Sequence, residues 1–325
     1  MTGLFARATI WVAAFSALVL VAEAGAQIYP ARPVRVIVPF PPGGGVDAVT
    51  RLLAQKLTEE IGGPFVVDNR PGGAGVLGAG LAARAAPDGY TLLTSAPEFA
   101  INPSVRSNVA YDPFRDFTFV SQLTSGQYML VSHPTVPVKT VKEFIALAKA
   151  RPGQLNYGSS GLGGINHLAG ELLQSMAGIR WTHVPFKGTG PATSAVMGGE
   201  VDFAFAGTIT LVGVARAGKV RPIAVTGPKR LAELLEVPTI AESGVPGYDV
   251  TGWYGIYAPA GTPADLVRSL HVHTARALNS ADVKDRLAKT GNEPVASSPA
   301  EFAAFMRKEI AKWAKVVKAI ELRIN

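Results

Sequence analysis

The sequence predicts a two-lobed α/β protein. Three observations carry this reading. Short β-branched apolar runs alternate with helix-period segments almost throughout. The alternation breaks at Thr124-Ser125-Gly126 and then resumes as a second series. In each series a glycine-rich turn joins a strand to a helix.

In the first series Val34–Val38 reads as a strand. Ala48–Ile61 follows as a helix, with Val49, Leu52, Leu53, Lys56 and Leu57 tracing its stripe. Phe65–Val67 is a second strand, and Val76–Ala85 a helix after the turn Arg70-Pro71-Gly72-Gly73. Tyr90–Thr94 is a third strand after Pro87-Asp88-Gly89. A βαβαβ unit implies a parallel sheet with right-handed crossovers.

In the second series Met129–Ser132 leads to a helix over Val141–Ala150, a strand at Leu155–Ser159 and a helix over Ile165–Met176. Thr182–Phe186, Ala192–Met197, Val201–Ala206, Ile209–Ala217 and Pro222–Thr226 continue the alternation. Trp253–Ala258 is again a strand, followed by helices at Ala264–Leu278, Ala281–Thr290 and Pro299–Lys318. The last helix carries Phe302, Phe305, Met306, Ile310, Trp313 and Val317 at helical spacing. Such a stripe is core, and the first lobe is its expected partner.

The amino terminus reads as an export signal. Arg7 is followed by an apolar stretch of about 15 residues, too short for a membrane span but suited to a signal peptide. Ala22-Glu23-Ala24 and Ala24-Gly25-Ala26 then offer small-x-small cleavage sites. Residues 1–26 are expected to be removed, leaving a soluble periplasmic protein that begins at Gln27. The chain has no cysteine, which excludes disulfides, thiolate metal sites, cysteine nucleophiles and a lipoprotein anchor. Thirty-one Lys and Arg exceed 24 Asp and Glu by 7, and the signal contributes one of each sign, Arg7 and Glu23. The surplus is spread along the chain, without the basic stripe and interleaved aromatics of a nucleic-acid binder. It serves solubility, or mildly attracts anionic ligands.

The strongest local feature is Pro39-Phe40-Pro41-Pro42-Gly43-Gly44-Gly45-Val46-Asp47. Glycines at a helix start leave main-chain N–H groups open, and the partial positive charge there favours an anion. The loop must also lie beyond the carboxyl end of a strand, where open α/β sheets bind ligands. Its other reading is a tight turn in which Asp47 caps its own helix. Tyr157-Gly158-Ser159-Ser160-Gly161-Leu162-Gly163-Gly164-Ile165-Asn166-His167 repeats the arrangement in the second lobe, adding hydroxyls, an amide and an imidazole. His167 can face the ligand or pack on the helix surface.

Other strand ends should face the same cleft: Ser95-Ala96-Pro97-Glu98, Lys187-Gly188-Thr189 and Ala206-Gly207-Thr208. Glu98 stands apart, because a carboxylate beside a carboxylate ligand repels it. It is solvated, pairs with a cation, or signals a ligand that is not simply anionic. The expected ligand contacts are Phe40, Gly43, Gly44, Gly45, Asp47, Ser95, Glu98, Ser159, Ser160, Gly163, Asn166, His167, Ala206, Gly207 and Thr208.

Enzyme signatures are sparse. Gly43-x-Gly45-x-x-Ala48 with Asp68 is a loose dinucleotide fingerprint, but its prolines and Asp47 suit a pyrophosphate poorly. Ser160 lacks a G-x-S-x-G elbow, and there is no H-E-x-x-H or Walker sequence. His271 and His273, at i and i+2, lie on different helix faces. No catalytic residue, cofactor or metal is expected. A hydrolase would have to be assembled from distant residues.

The order of segments resembles the Bug-type receptors, the substrate-binding proteins of tripartite tricarboxylate transporters. The matching segments include Tyr29-Pro30-x-Arg32-Pro33, Val38–Asp47, Asn69-Arg70-Pro71-Gly72 and Pro87–Leu93. Ile101-Asn102-Pro103, His167–Leu172, His183–Gly188 and Trp253-Tyr254-Gly255 continue the match. The resemblance spans essentially the whole chain after the signal. It implies a type II periplasmic-binding-protein fold, with two doubly wound α/β lobes joined by crossing strands and closing like a Venus flytrap. The lobes would comprise residues 27–124, 125–249 and a return to the first over 250–325. The resemblance further implies a non-enzymatic, monomeric receptor for a small carboxylate, or a related amino-acid or nicotinic compound. Phe40–Asp47 and Ser159–His167 would hold it, with a large and a small membrane transporter subunit as partners. The same fold could instead feed a sensor kinase.

Three departures from the family pattern surround the expected cleft. Val46 precedes the Asp where a small or hydroxyl residue is frequent. Pro97-Glu98-Phe99 replaces a Gly-Thr-His type of segment, and Ala206-Gly207 an Asp-Asn or Ala-Ser type.

Overall fold

The computed structural model describes residues 29–324, so the signal read at residues 1–26 lies outside the described residues. Strand β1 (Val34–Val38) lies between β2 (Phe65–Asn69) and β3 (Thr91–Ser95), parallel to both. Helices α1 (Gly45–Ile61) and α2 (Val76–Ala83) make the crossovers. Val49, Leu53 and Leu57 are buried under α1, as the stripe predicts, while Leu52 and Lys56 sit at its margin.

After β3 comes a helix that the sequence reading missed, α3 (Glu98–Val105). Pro97 and Pro103 concealed it, because proline inside a helix removes an N–H donor. Pro103 leaves the Phe99 carbonyl without its helical donor. The buried Tyr111 hydroxyl donates to that carbonyl at 3.1 Å instead.

A second correction concerns Thr124-Ser125-Gly126, read as a break between series. These residues lie inside one 16-residue strand, β4 (Phe117–Ser132). Its gap in the apolar pattern has a local cause. A side chain at Gly126 would overlap the Asn292 amide, so a glycine is needed for the strands to meet there. Strands β5 (Asn156–Ser159), β6 (Thr182–Pro185), β7 (Phe203–Gly207) and β8 (Arg221–Val225) follow. They alternate with α4 (Val141–Ala150), α5 (Ile165–Ala177), α6 (Thr189–Gly198) and α7 (Thr208–Arg216).

The sheet path runs β2-β1-β3-β9-β4-β7-β5-β6, where β9 is Thr251–Pro259. Both ends are parallel, and the middle is antiparallel. Residues 117–127 of β4 pair with β9, whereas 128–132 pair with β7 and β8. One continuous strand therefore passes from the first lobe into the second. This is a two-lobed periplasmic-binding-protein fold, α/β in both halves.

The chain ends with α8 (Ala264–Asn279), α9 (Ala281–Ala288), β10 (Asn292–Pro294) and α10 (Pro299–Ala319). Ser298 and Glu301 form a reciprocal capping box at the start of α10. Its apolar stripe divides between two clusters. Phe302 and Met306 pack with Ile37, Leu93 and Tyr257 of the first lobe. Trp313 and Val317 join a cluster containing Leu130, Tyr157 and Phe203 of the second. The last helix thus spans both lobes, where the sequence suggested the first alone. Among the described residues, no helix is long and apolar enough to cross a membrane.

Candidate functional site

The first glycine-rich loop leaves β1 and enters α1 at Gly45, with Gly44 in extended conformation as the cap residue. No side chain caps this helix, so the N–H groups of its first turn have no partner within it. Asp47 is buried but turns back to the loop. Its Oδ2 accepts from Gly43 N at 3.0 Å and Arg51 Nε at 3.0 Å, and its Oδ1 accepts from Asn69 Nδ2 at 2.9 Å. The same Asn69 amide donates to the Phe40 carbonyl at 3.0 Å. Burial works against the charge on Asp47, but Arg51, the Gly43 N–H and Asn69 outweigh it and hold the carboxyl below its usual range. Asp47 braces the loop into one shape.

The second loop runs from β5 to the start of α5, whose cap is Gly164. Here the helix start already holds a carboxylate from the same chain. Glu98, at the first turn of α3 in the other lobe, reaches across. Its Oε1 accepts from Ile165 N at 3.3 Å and Ser160 Oγ at 3.2 Å. Its Oε2 is buried without a partner. Burial pushes the Glu98 carboxyl above its usual range, although its own backbone N–H, Ile165 N and Ser160 Oγ favour its charge.

Behind this loop lie two histidines. Nδ1 of His167 accepts from Gly163 N at 3.1 Å, and its ring stacks on His183 with centroids 3.8 Å apart. Nε2 of His183 meets Ser159 Oγ at 2.5 Å, and that oxygen also accepts from Gly161 N at 3.1 Å. A serine beside a histidine is the start of a hydrolase site. Ser159, however, is fully buried and held by its own loop, and it does not reach the cavity.

Between the lobes the two loops line one tight cavity. The first loop contributes Phe40, Gly44, Gly45 and Val46, and the β3–α3 junction contributes Ala96 and Glu98. The second lobe contributes Ser160, Ile165, Asn166, Thr189 and Gly207. Tyr128 of β4 and Tyr254 of β9 complete the wall. Burial pushes both phenols up, so they stay neutral hydroxyls. A wider groove opens on the other side of Phe40 and Ser160, bordered by Arg106 and Lys187. The lobes also touch where Arg106 Nη2 donates to the Leu162 carbonyl at 3.0 Å.

Of the residues named from the sequence, Phe40, Gly44, Gly45, Glu98, Ser160, Asn166 and Gly207 line this cavity. Gly43, Asp47, Ser159, Gly163 and His167 lie behind it and shape the loops. Ser95 is buried at the end of β3, opposite Gly255. Ala206 faces Met129 across β7 and β4. Thr208 Oγ1 accepts from Asn292 Nδ2 at 3.3 Å. Among the lining residues absent from the expected contacts, Val46, Ala96, Ile165, Thr189 and Tyr254 belong to segments the sequence had marked. Tyr128 carried no local signal, since it lies mid-strand in β4. Among the described residues, no group of three or more His, Asp or Glu is placed to hold a metal ion.

Residues 49–322 match the family model described as "Tripartite tricarboxylate transporter family receptor". Protein BugT of Bordetella pertussis is 35% identical over 320 residues, covering 98% of this chain and 97% of its own. A solved structure of R. palustris Rpa4515 with adipate is 38% identical with a TM-score of 0.89, covering 91% of this chain and 99% of that one. MatC (Rpa3494) from Rhodopseudomonas palustris with bound malate is 34% identical with a TM-score of 0.83, covering 89% of this chain and 100% of that one.

Proposed function

This chain belongs to the tripartite tricarboxylate transporter receptor family, and we propose that it is a periplasmic, non-enzymatic receptor for a small organic carboxylate. One observation carries the reading: two glycine-rich strand–helix junctions, one from each lobe, face each other across a single cavity. A helix start with unpartnered N–H groups is a ready anion site. Similar proteins solved with adipate and with malate support the carboxylate class.

In this proposal the first turn of α1 takes the carboxylate, with Phe40, Gly44, Gly45 and the Tyr254 hydroxyl around it. Ser160, Asn166, Thr189 and Gly207 close from the second lobe, and Tyr128 forms the floor. Asp47, Asn69, Gly163 and His167 hold the loops in shape. The lobe borders at 124/125 and 249/250 act as hinges, the first inside β4 and the second just before β9. Closure removes the carboxylate from water and strengthens its hydrogen bonds. The mature protein, cut after Ala26, works as a monomer in the periplasm and passes its ligand to a large and a small membrane subunit.

A thermal-shift screen tests this. Dicarboxylates, tricarboxylates, amino acids, aromatic acids and nicotinic compounds are added to the purified mature protein. At least one carboxylate should raise the melting temperature in a concentration-dependent way. Failure of every carboxylate, or turnover of carboxylic esters or amides, would overturn it. Recovery of both membrane subunits with the tagged receptor tests the partners.

A further inference from the structure

The two anion-accepting helix starts are not equivalent. No side chain caps the start of α1, whereas the start of α5 is filled by Glu98, whose Oε1 accepts from Ile165 N and Ser160 Oγ. A ligand carboxylate placed there would meet a buried like charge, an arrangement in which one of the two must give up its ionisation. Meanwhile Glu98 Oε2 is buried and unpartnered, as is Asn166 Oδ1, and both residues line the cavity. Each is an acceptor without a donor, and buried acceptors without donors are rare in folded proteins. No lysine or arginine lines the cavity, so the chain offers no cation to Glu98 there. A ligand that brings N–H donors into the cavity would satisfy both acceptors.

We propose that Glu98 determines specificity in this cavity, and that the ligand is a small carboxylate that also carries an N–H donor, an ammonium or a primary amide, rather than a second carboxylate. The inference rests on the reading of the α1 start as the carboxylate site. The ligand's carboxylate takes the N–H groups of the first jaw. Its nitrogen donates to Glu98 Oε2 at the second, with Asn166 Oδ1 as an additional acceptor. Burial raises the Glu98 carboxyl despite its donors, as expected for a group with no cation beside it in the cavity. The Tyr128 and Tyr254 hydroxyls, neutral and able both to donate and to accept, suit either end of such a ligand.

Matched probes test this on the mature protein. Succinate, glutarate and adipate are compared by calorimetry with their monoamides and with ω-amino acids of equal length. Glycine, alanine and glutamine serve as compact amino acids. At least one N–H-bearing probe should bind tenfold or more tightly than the dicarboxylate of its length, or, for the compact amino acids, than any dicarboxylate. In Glu98→Gln the amide oxygen can keep the Ile165 and Ser160 bonds while an N–H₂ faces the cavity. The preference should then reverse toward dicarboxylates by about the same factor.

Equal or tighter binding of dicarboxylates by the wild type would overturn the inference while leaving the carboxylate receptor intact. That result is expected if Glu98 is protonated and donates to the ligand. An unchanged ranking in Glu98→Gln would remove Glu98 from the role. Should that variant not fold, the wild-type ranking alone decides. If no carboxylate of either kind binds, the proposed function falls and this inference with it.

Discussion

The imidazole rings of His167 and His183 lie 12° from parallel with their centroids 3.8 Å apart, beneath the loop that forms the second jaw. Neither position suits a charged ring. Burial pushes His167 down to about 4. Burial, and then the neighbouring His167, push His183 down to about 3. The groups facing the pair are Ser159, Gly163, Tyr157 and Glu171, whose Oε1 is 3.7 Å from His167 Nε2.

The sign of the pH effect follows. Between about pH 6.5 and the folded values, the unfolded chain binds more protons than the native one, so acid favours unfolding. The stability held by the neutral pair is complete above about pH 6.5. It is lost as pH falls toward 4 and then 3. Each unit of difference is worth about 1.4 kcal/mol, so the loss should reach a few kcal/mol. Glu98 acts in the opposite sense, because its raised carboxyl takes up a proton more readily in the folded state. Thermal melts from pH 7.5 to 4 should show a steady decline that flattens in His183→Gln and steepens in Glu98→Gln. A melting temperature independent of pH over this range would refute the assignment.

Asp47 shapes the first jaw by bonding Gly43, Arg51 and Asn69 together. Asp47→Ala leaves these donors without their acceptor. Leaving a buried donor unmade costs about 1–3 kcal/mol. Urea denaturation should show a loss of that order, and carboxylate affinity should fall about tenfold as the loop loses its shape. Asn69→Ala should produce a smaller version of both effects. The double variant should cost less than the sum, because the two residues share one network. Full additivity would mean that they act separately.

Two of the loop glycines, Gly44 and Gly45, differ in what they permit. A Cβ on Gly45 would overlap the Tyr254 hydroxyl and lie 2.9 Å from Ile209 Cγ2 in the second lobe. A Cβ on Gly44 would sit 3.2 Å from Thr189 Oγ1, the end of a side chain that can rotate. Gly45→Ala should therefore hold the lobes apart, weakening carboxylate binding by tenfold or more and raising the radius of gyration in solution scattering. Gly44→Ala should stay within about threefold of the wild type, ~0.7 kcal/mol. Equal behaviour of the two would contradict the closed geometry.

How much of this was legible before the structure depends on the range of the interactions involved. The glycine-rich junctions are local, so Pro39–Asp47 and Ser159–His167 announced themselves by spacing alone. Lobe alternation is a periodicity and was equally visible, although α3 was hidden by Pro97 and Pro103. The continuity of β4 through Thr124-Ser125-Gly126 was not visible, because Gly126 owes its identity to Asn292, far along the chain. Tyr128 faces the cavity only because β4 crosses between lobes. Glu98 was visible as an anomaly, but its partners Ser160 and Ile165 belong to the opposite lobe. His167 shows the converse. Its place in the motif suggested a ligand contact, while its ring accepts from its own loop at Gly163.

Glu309 gives a last prediction, about what holds the terminal helix across both lobes. It is buried on α10, and its Oε2 accepts from Trp253 Nε1 of β9 at 2.9 Å and from Trp313 Nε1 at 3.0 Å. The nearest cation, Lys312, is 3.9 Å from the other oxygen, too far for a strong hydrogen bond. The carboxylate is thus retained chiefly as an acceptor for two buried indoles. Gln supplies an oxygen of similar shape, so Glu309→Gln should cost no more than ~1 kcal/mol. Glu309→Ala leaves both indole N–H groups unpaired and opens space beside Trp313, and should cost about 3 kcal/mol. Trp253→Phe in the alanine background should recover part of that loss by removing one orphaned donor. Urea unfolding of the three variants decides the matter. Equal destabilisation by Gln and Ala would show that charge, and not the shared acceptor, fixes α10 against β9.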